Sequence, residues 1–432
     1  MDWRLFLALA AVLFPAATAQ LCTPLLGSYG YTYIVENQSE VDEIAAHCTT
    51  VNGGIMIAPN YTGSFFLPNV RNLTNGLGWF RVIGDPETEA TPVSVELPDL
   101  EYAGSDLSLN GLPTLRNVSM PRLKTVSRHL NADYVYEADF RALETAEYVA
   151  ITGNMSSLRL DSLREVKQKL RICNHDECDP DISPASSLDI SLPSLQSVGN
   201  LKLAGRISSL DVPSLTTITG DGPDVYDFQF STGGGPSINL TFPDLSEAHG
   251  EIKLTGDIAS LDMPNLRAMR DTSLWLDTSA DPITVDLPFD EAYDILLYGN
   301  ISSVNFPNLT YLNGTFAVNS NLPLDCDSIL NTISTATNVT VSPGGRLYCR
   351  SAEEPGGSGL STGVKAAIGV VVGVCGLAII VGAVFLLKRR QKKRQRLATE
   401  SIVQLQDATP PAYRAREDGD DPVPEYVSRS SK

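Results

Sequence analysis

Side chains that could do chemistry are few in this 432-residue chain, and their spacing is poor for it. The four histidines, His47, His129, His175 and His249, are scattered, and none belongs to an HExxH zinc helix. No Gly-x-Ser-x-Gly elbow and no phosphate-binding loop occurs. Gly233-Gly234-Gly235 has neither a following helix nor a lysine, so the stretch Asp221 to Ser237 reads as a loop insertion rather than a nucleotide site. Cys173-Asn-His-Asp-Glu-Cys178 gathers metal-ligating types within six residues, but in an oxidising compartment the two thiols close on each other instead. The many aspartates never form an Asp-x-Asp-x-Asp-Gly calcium loop, and no carboxylate pair stands out for general acid and base work. The expectation is a protein without catalysis, metal or cofactor.

Covalent decoration is a better prospect. Cys22 and Cys48, Cys173 and Cys178, and Cys326 and Cys349 form three close pairs, and Cys375 is left over. Six cysteines allow 15 pairings, of which neighbour with neighbour is the simplest. The first and last pairs would then staple the two ends of a domain. Asn-x-Ser/Thr acceptors stand at Asn37, Asn60, Asn72, Asn117, Asn154, Asn239, Asn300, Asn308, Asn313 and Asn338. Chance would give roughly four such sites, so a glycoprotein is expected.

Charge and hydropathy supply the topology. The formal charge is −19, yet residues 388–432 carry +4, which leaves −23 on the rest. An acidic outer part argues against nucleic acid. Residues 1–19 have Arg4, an apolar run from Leu5 to Phe14 and Ala17-Thr18-Ala19, the pattern of a signal peptide that leaves Gln20 as the mature terminus. Residues 366–387 carry neither charge nor proline and are long enough to cross about 30 Å of hydrocarbon. Lys388, Arg389, Arg390, Lys392, Lys393, Arg394 and Arg396 follow, which places that side in the cytosol. A type I plasma-membrane protein is expected, with an ectodomain over 20–353, a Gly/Ser-containing linker over 354–365, the span, and a basic, disordered tail over 388–432. Gly369 and Gly373 match the small-xxx-small pattern of self-associating spans and would support a homodimer. Pro410, Pro411 and Tyr413 form a Pro-Pro-x-Tyr element of the kind that WW-domain ubiquitin ligases read.

The ectodomain repeats itself. Ile207-Ser-Ser-Leu-Asp-Val-Pro-Ser-Leu215 returns as Ile258-Ala-Ser-Leu-Asp-Met-Pro-Asn-Leu266 and Ile301-Ser-Ser-Val-Asn-Phe-Pro-Asn-Leu309. Met155-Ser-Ser-Leu-Arg-Leu-Asp-Ser-Leu163 fits with Asp161 in the proline place, and shorter apolar-Pro-x-Leu units begin at Leu97, Met120, Leu192 and Phe242. Most steps are about 19 to 24 residues, a solenoid period. In Asn200-Leu-Lys-Leu203 and Glu251-Ile-Lys-Leu254 polar and apolar residues alternate as in a half-buried strand. Proline ends each strand because it cannot donate to the ladder. One rung cannot bury its own apolar face, so the rungs must stack.

Cys48-Thr-Thr-Val-Asn-Gly-Gly-Ile-Met-Ile57, after a segment opened by Cys22, resembles the start of a receptor L-domain. With the apolar-Pro-x-Leu rungs, the stretch from Cys22 to Cys349 resembles the fungal cell-wall-organisation and sporulation family of L-domain-like surface glycoproteins. The resemblance implies a mainly β, right-handed β-helix or leucine-rich-like solenoid at the cell surface, needed for wall integrity and without known catalysis. It departs from the family in having a span and a tail where a serine-rich stretch and glycolipid signal are usual. The expected function is non-enzymatic cell-wall organisation or surface recognition, with wall polysaccharide or a surface protein as partner. The alternative is a single-pass receptor that binds an outside ligand and signals through the tail.

Overall fold

Each apolar-Pro-x-Leu unit closes a β-turn. The Leu215 amide donates to the Val212 carbonyl at 3.3 Å, Leu123 to Met120 at 3.1 Å and Leu195 to Leu192 at 3.2 Å. Proline takes the second turn position, where its fixed φ is already suitable and no amide is needed. Both flanking apolar side chains are buried, as for Val212 and Leu215. The unit thus turns the chain and plugs the core in the same four residues. Phe140 and Leu163 belong to turns of the same kind built around Arg141 and Asp161, so proline assists the turn without being required.

The computed structural model describes residues 20–352, except 80–89, 176–177, 179–185, 221–225, 270 and 340–345. They form a mainly β solenoid of about 12 turns with two helices. The expected signal peptide, linker, span and tail, with Gly369, Gly373, Pro410, Pro411 and Tyr413, lie outside the described residues. Among the described residues no helix is long and apolar enough to cross a membrane.

Three strips of parallel strands run along the solenoid. Face 1 stacks Gly30–Val35, Gly54–Ile57, Leu77–Trp79 and Leu107–Leu109, and ends with Phe316–Ser320 and Leu347–Arg350. Face 2 begins with Thr62–Phe66 and Thr91–Glu96 and includes Ile207–Asp211 and Ile258–Asp262. Face 3 is narrow, with two-residue strands such as Asn72–Leu73 and Tyr102–Ala103. The pairing register keeps like on like. On face 1, Leu201, Phe228, Ile252, Leu274, Ile295 and Phe316 form one inward column, all at most 1% exposed. One continuous core results, and burying each such side chain stabilises the fold by about 1.5–3 kcal/mol.

The expected loop over Asp221 to Ser237 needs correction. Phe228–Thr232 within it is a complete face 1 strand, paired with Ser197–Gly205 before it and Gly250–Gly256 after it. Phe228 and Phe230 enter the core while Gln229 faces out, but the alternation is short and is flanked by the glycine run.

Corners use a second code. Where face 1 turns into face 2, the stacked residues are Asn174, Gly205, Thr232, Gly256, Thr278, Gly299 and Ser320. Glycine and a hydrogen-bonding residue alternate rung by rung. Gly205, Gly256 and Gly299 have φ of 107°, 110° and 97°, and a Cβ on Gly256 or Gly299 would strike the carbonyl of Thr232 or Thr278. The polar members bond to backbone beyond the corner: Thr278 Oγ1 donates to Ile258 O at 2.9 Å and Ser320 Oγ to Ile301 O at 2.6 Å. These buried hydroxyls are therefore satisfied.

A helix is tied to each end of the array. Helix α1 (Gln38–His47) starts at an Asn37 cap and ends at Cys48, which is bonded to Cys22 of the first face 3 strand. Helix α2 (Cys326–Thr337), capped by Asp325, is bonded through Cys326 to Cys349 in the last strand. Cys173 is bonded to Cys178. All three pairs are nearest neighbours in sequence, as expected, and the outer two hold the ends.

Candidate functional site

The inward positions of face 1 are spent on the core, so any recognition there belongs to the outward ones. Along the central outward column the register superposes Arg171, Lys202, Gln229, Lys253, Trp275, Leu296, Ala317 and Tyr348. The next outward column includes Asp277, Tyr298, Asn319 and Arg350.

These side chains form a connected strip. Lys253 Nζ lies 4.6 Å from the Tyr226 ring centre and 4.9 Å from that of Trp275, and is 3.2 Å from the Tyr226 hydroxyl. A cation between two ring faces fixes both rings in place. Trp275 and Tyr298 have centroids 5.5 Å apart at 36°. The Tyr298 hydroxyl is bonded to Tyr348, and this bond, with burial and the charges nearby, pushes its pKa up to about 12. Tyr298 is therefore neutral at any physiological pH. Ala317, on the rung between, is fully buried although its column faces out. Tyr226, Lys253, Trp275 and Tyr298 are half-buried and Tyr348 is 38% exposed, so the rings are anchored but reachable.

Beneath the strip, polar residues lock successive rungs. Asp227 accepts from Asn200 Nδ2 at 2.7 Å and from the Glu251 amide at 3.0 Å. Asp294 likewise accepts from the Thr315 amide at 2.5 Å, and in the other half of the face Asp106 accepts from the His129 amide at 3.3 Å. Asn200 opens a run that alternates in sequence, yet it is fully buried, because Asp227 of the next rung supplies its partner. Burial raises the Glu251 pKa; Lys253 opposes the rise, and Asp294 and Asp227 add to it.

The other half of face 1 is different. A groove of about 440 Å³ there is lined by Asn131, Asp133, His129, Tyr148, Gln168 and Arg171 among others. His129 stands edge-on to Tyr148 at 5.5 Å and pairs with Asp106 at 3.1 Å. Gln168 donates to Glu147 at 2.5 Å and Arg171 Nε to Cys178 Sγ at 2.9 Å. These groups are largely committed to one another. Among the described residues no cluster of His, Cys, Asp and Glu could hold a metal.

None of the ten sequon asparagines is buried. Asn117 and Asn239 lie on face 2 and Asn72 on face 3; Asn308 sits in a proline turn. Asn154 and Asn300 directly follow the corner glycines Gly153 and Gly299, where face 1 has ended. Asn37 and Asn338 cap α1 and α2, Asn60 precedes face 2, and Asn313 follows a face 3 strand. No sequon occupies an outward position of the face 1 ladder. Sequence reasoning did not find Tyr226, Trp275, Tyr298 or Tyr348, because their proximity depends on register. The available signal was the outward place of Lys253 and Trp275 between paired apolar residues.

Comparison with family models, with curated proteins and with solved structures gives no significant match.

Proposed function

We propose that this chain is a non-enzymatic cell-surface glycoprotein acting in cell-wall organisation or surface recognition, with face 1 as its recognition surface. The observation that carries the proposal is the distribution of the ten sequons, all accessible and all off the face 1 ladder. Glycans on faces 2 and 3 and at the corners would cover the rest of the solenoid and leave one long face open. A right-handed, L-domain-like coil, a single membrane span after the solenoid, and a tail whose Pro-Pro-x-Tyr element controls surface lifetime complete the reading.

Gln229 offers a direct test. It faces outward at mid-ladder, and Phe230 and Ser231 follow it, so Gln229→Asn creates a sequon there by one change. The full chain carrying Q229N should be glycosylated at that position, reach the surface, and fail to restore resistance to wall-perturbing agents in cells lacking the protein. Full restoration by a form shown to carry the added glycan would defeat the proposal.

A further inference from the structure

Resting on the reading of face 1 as the recognition surface, we infer that the strip formed by Tyr226, Lys253, Trp275, Tyr298 and Tyr348 binds a neutral, linear glycan of gluco-configured pyranose units. The argument starts from ring chemistry. A pyranose with equatorial hydroxyls presents C–H groups on its two faces, and these pack on the electron-rich face of an indole or phenol. Such packing needs rings that are held in place yet open to solvent. Lys253 holds Tyr226 and Trp275 from between them, and the Tyr348 hydroxyl holds Tyr298.

Charge selects the class of glycan. The strip carries Lys253 and Arg350 against Glu251 and Asp277, and Asp227 and Asp294 add two carboxylates beneath it. A polyanion would be repelled by this set, and the two lower carboxylates are already engaged by backbone amides and offer a basic peptide little. The remaining donors and acceptors, with Gln229 and Asn319, suit sugar hydroxyls. Shape selects a chain over a single sugar. The aromatic residues come from the rungs of Phe228, Leu274, Ile295 and Leu347, spread along the solenoid axis at about 4.8 Å per rung. A linear polymer laid along the axis meets several of them in turn, whereas a monosaccharide meets one.

The test displays the full chain on cultured animal cells and titrates fluorescent oligosaccharides: a β-linked glucan, a chitin oligomer and, as the anionic comparison, heparin. Saturable binding of a neutral oligomer is expected, tightening with oligomer length. Trp275→Ala and Tyr298→Ala should each weaken it at least tenfold at equal surface display, and Trp275→Tyr should keep most of it. Tyr148→Ala, in the other half of face 1, should change it less than twofold. Binding unchanged in both alanine variants, or preference for heparin, overturns the glycan site. If neutral glycans do not bind while Q229N still abolishes rescue, the ligand class is wrong and the recognition face stands. If Q229N also rescues fully, the recognition face itself falls.

Discussion

The rungs up to Thr152 and those from Asn200 onward share one interior and differ outside. Leu107, Leu130 and Val149 occupy the same buried column as Ile252, Leu274 and Ile295. In the central outward column the first group shows Ser108, Asn131 and Ala150, and the second shows Lys253, Trp275 and Leu296. The parallel ladder and the inward column set the fold, so the outward column is free to vary. What distinguishes one part of the solenoid from another is written in residues that stability hardly constrains.

The comparison can be broken first from the inside. Leu109→Ala and Leu254→Ala, one from each group, should each cost about 2–5 kcal/mol in chemical unfolding of the secreted solenoid. A clear gap between them would mean that the interiors are not equivalent. Gly256→Ala places a Cβ against the Thr232 carbonyl at a φ disfavoured for side chains, with about 3 kcal/mol lost or secretion abolished. The disulfides rank by loop length. Serine at Cys326 and Cys349 should cost about 3 kcal/mol, and serine at Cys173 and Cys178 about 2, by the same measurement. An equal loss would show that loop closure is not the governing term.

Outside, effects shrink. Ser108→Ala and Gln229→Ala should each stay within about 0.5 kcal/mol of the parent. The smallest effect is a pH dependence peculiar to the second group. Burial raises the Glu251 pKa above its ordinary 4.5, so the carboxyl favours the folded state most when protonated. That contribution is fully present below pH 4.5 and is lost as pH rises through the raised folded value. Glu251→Gln should therefore be slightly more stable than the parent at pH 7, and the advantage should vanish below pH 4.5. An advantage that grew in acid would reverse the sign and the argument.

Much of this is legible in the amino-acid sequence. The apolar-Pro-x-Leu punctuation marks real turns, since proline and the two flanking apolar residues report local geometry. The cysteine pairs were legible for the same reason. Phe228–Thr232 was hidden because its alternation is short and borders Gly233, Gly234 and Gly235. The burial of Asn200 was hidden because its partner, Asp227, is 27 residues away. The aromatic strip was hidden most fully. Trp275 and Tyr298 meet only because the intervening coil has the length it has, and that length registers one rung on the next. Helix α1 left a partial trace: Asn37 accepts from the Glu40 amide, and Glu40 Oε2 accepts from the Glu36 amide, a capping pattern readable in the sequence.

The alternating corner gives the array a reading frame of two. The chain needs only two residues to pass from Gly205 to Ile207, from Gly256 to Ile258 and from Gly299 to Ile301, and longer stretches from Thr232 to Ile238 and from Thr278 to Ile283. The long sequence repeats beginning at Met155, Ile207, Ile258 and Ile301 therefore recur on every second coil, each just after its glycine. Excising a single coil would stack glycine on glycine or threonine on threonine, leaving a gap in one case and a collision in the other. Excising or inserting a pair would preserve the alternation. The corner therefore makes the pair of coils, not the single coil, the unit that can be removed or added without a clash.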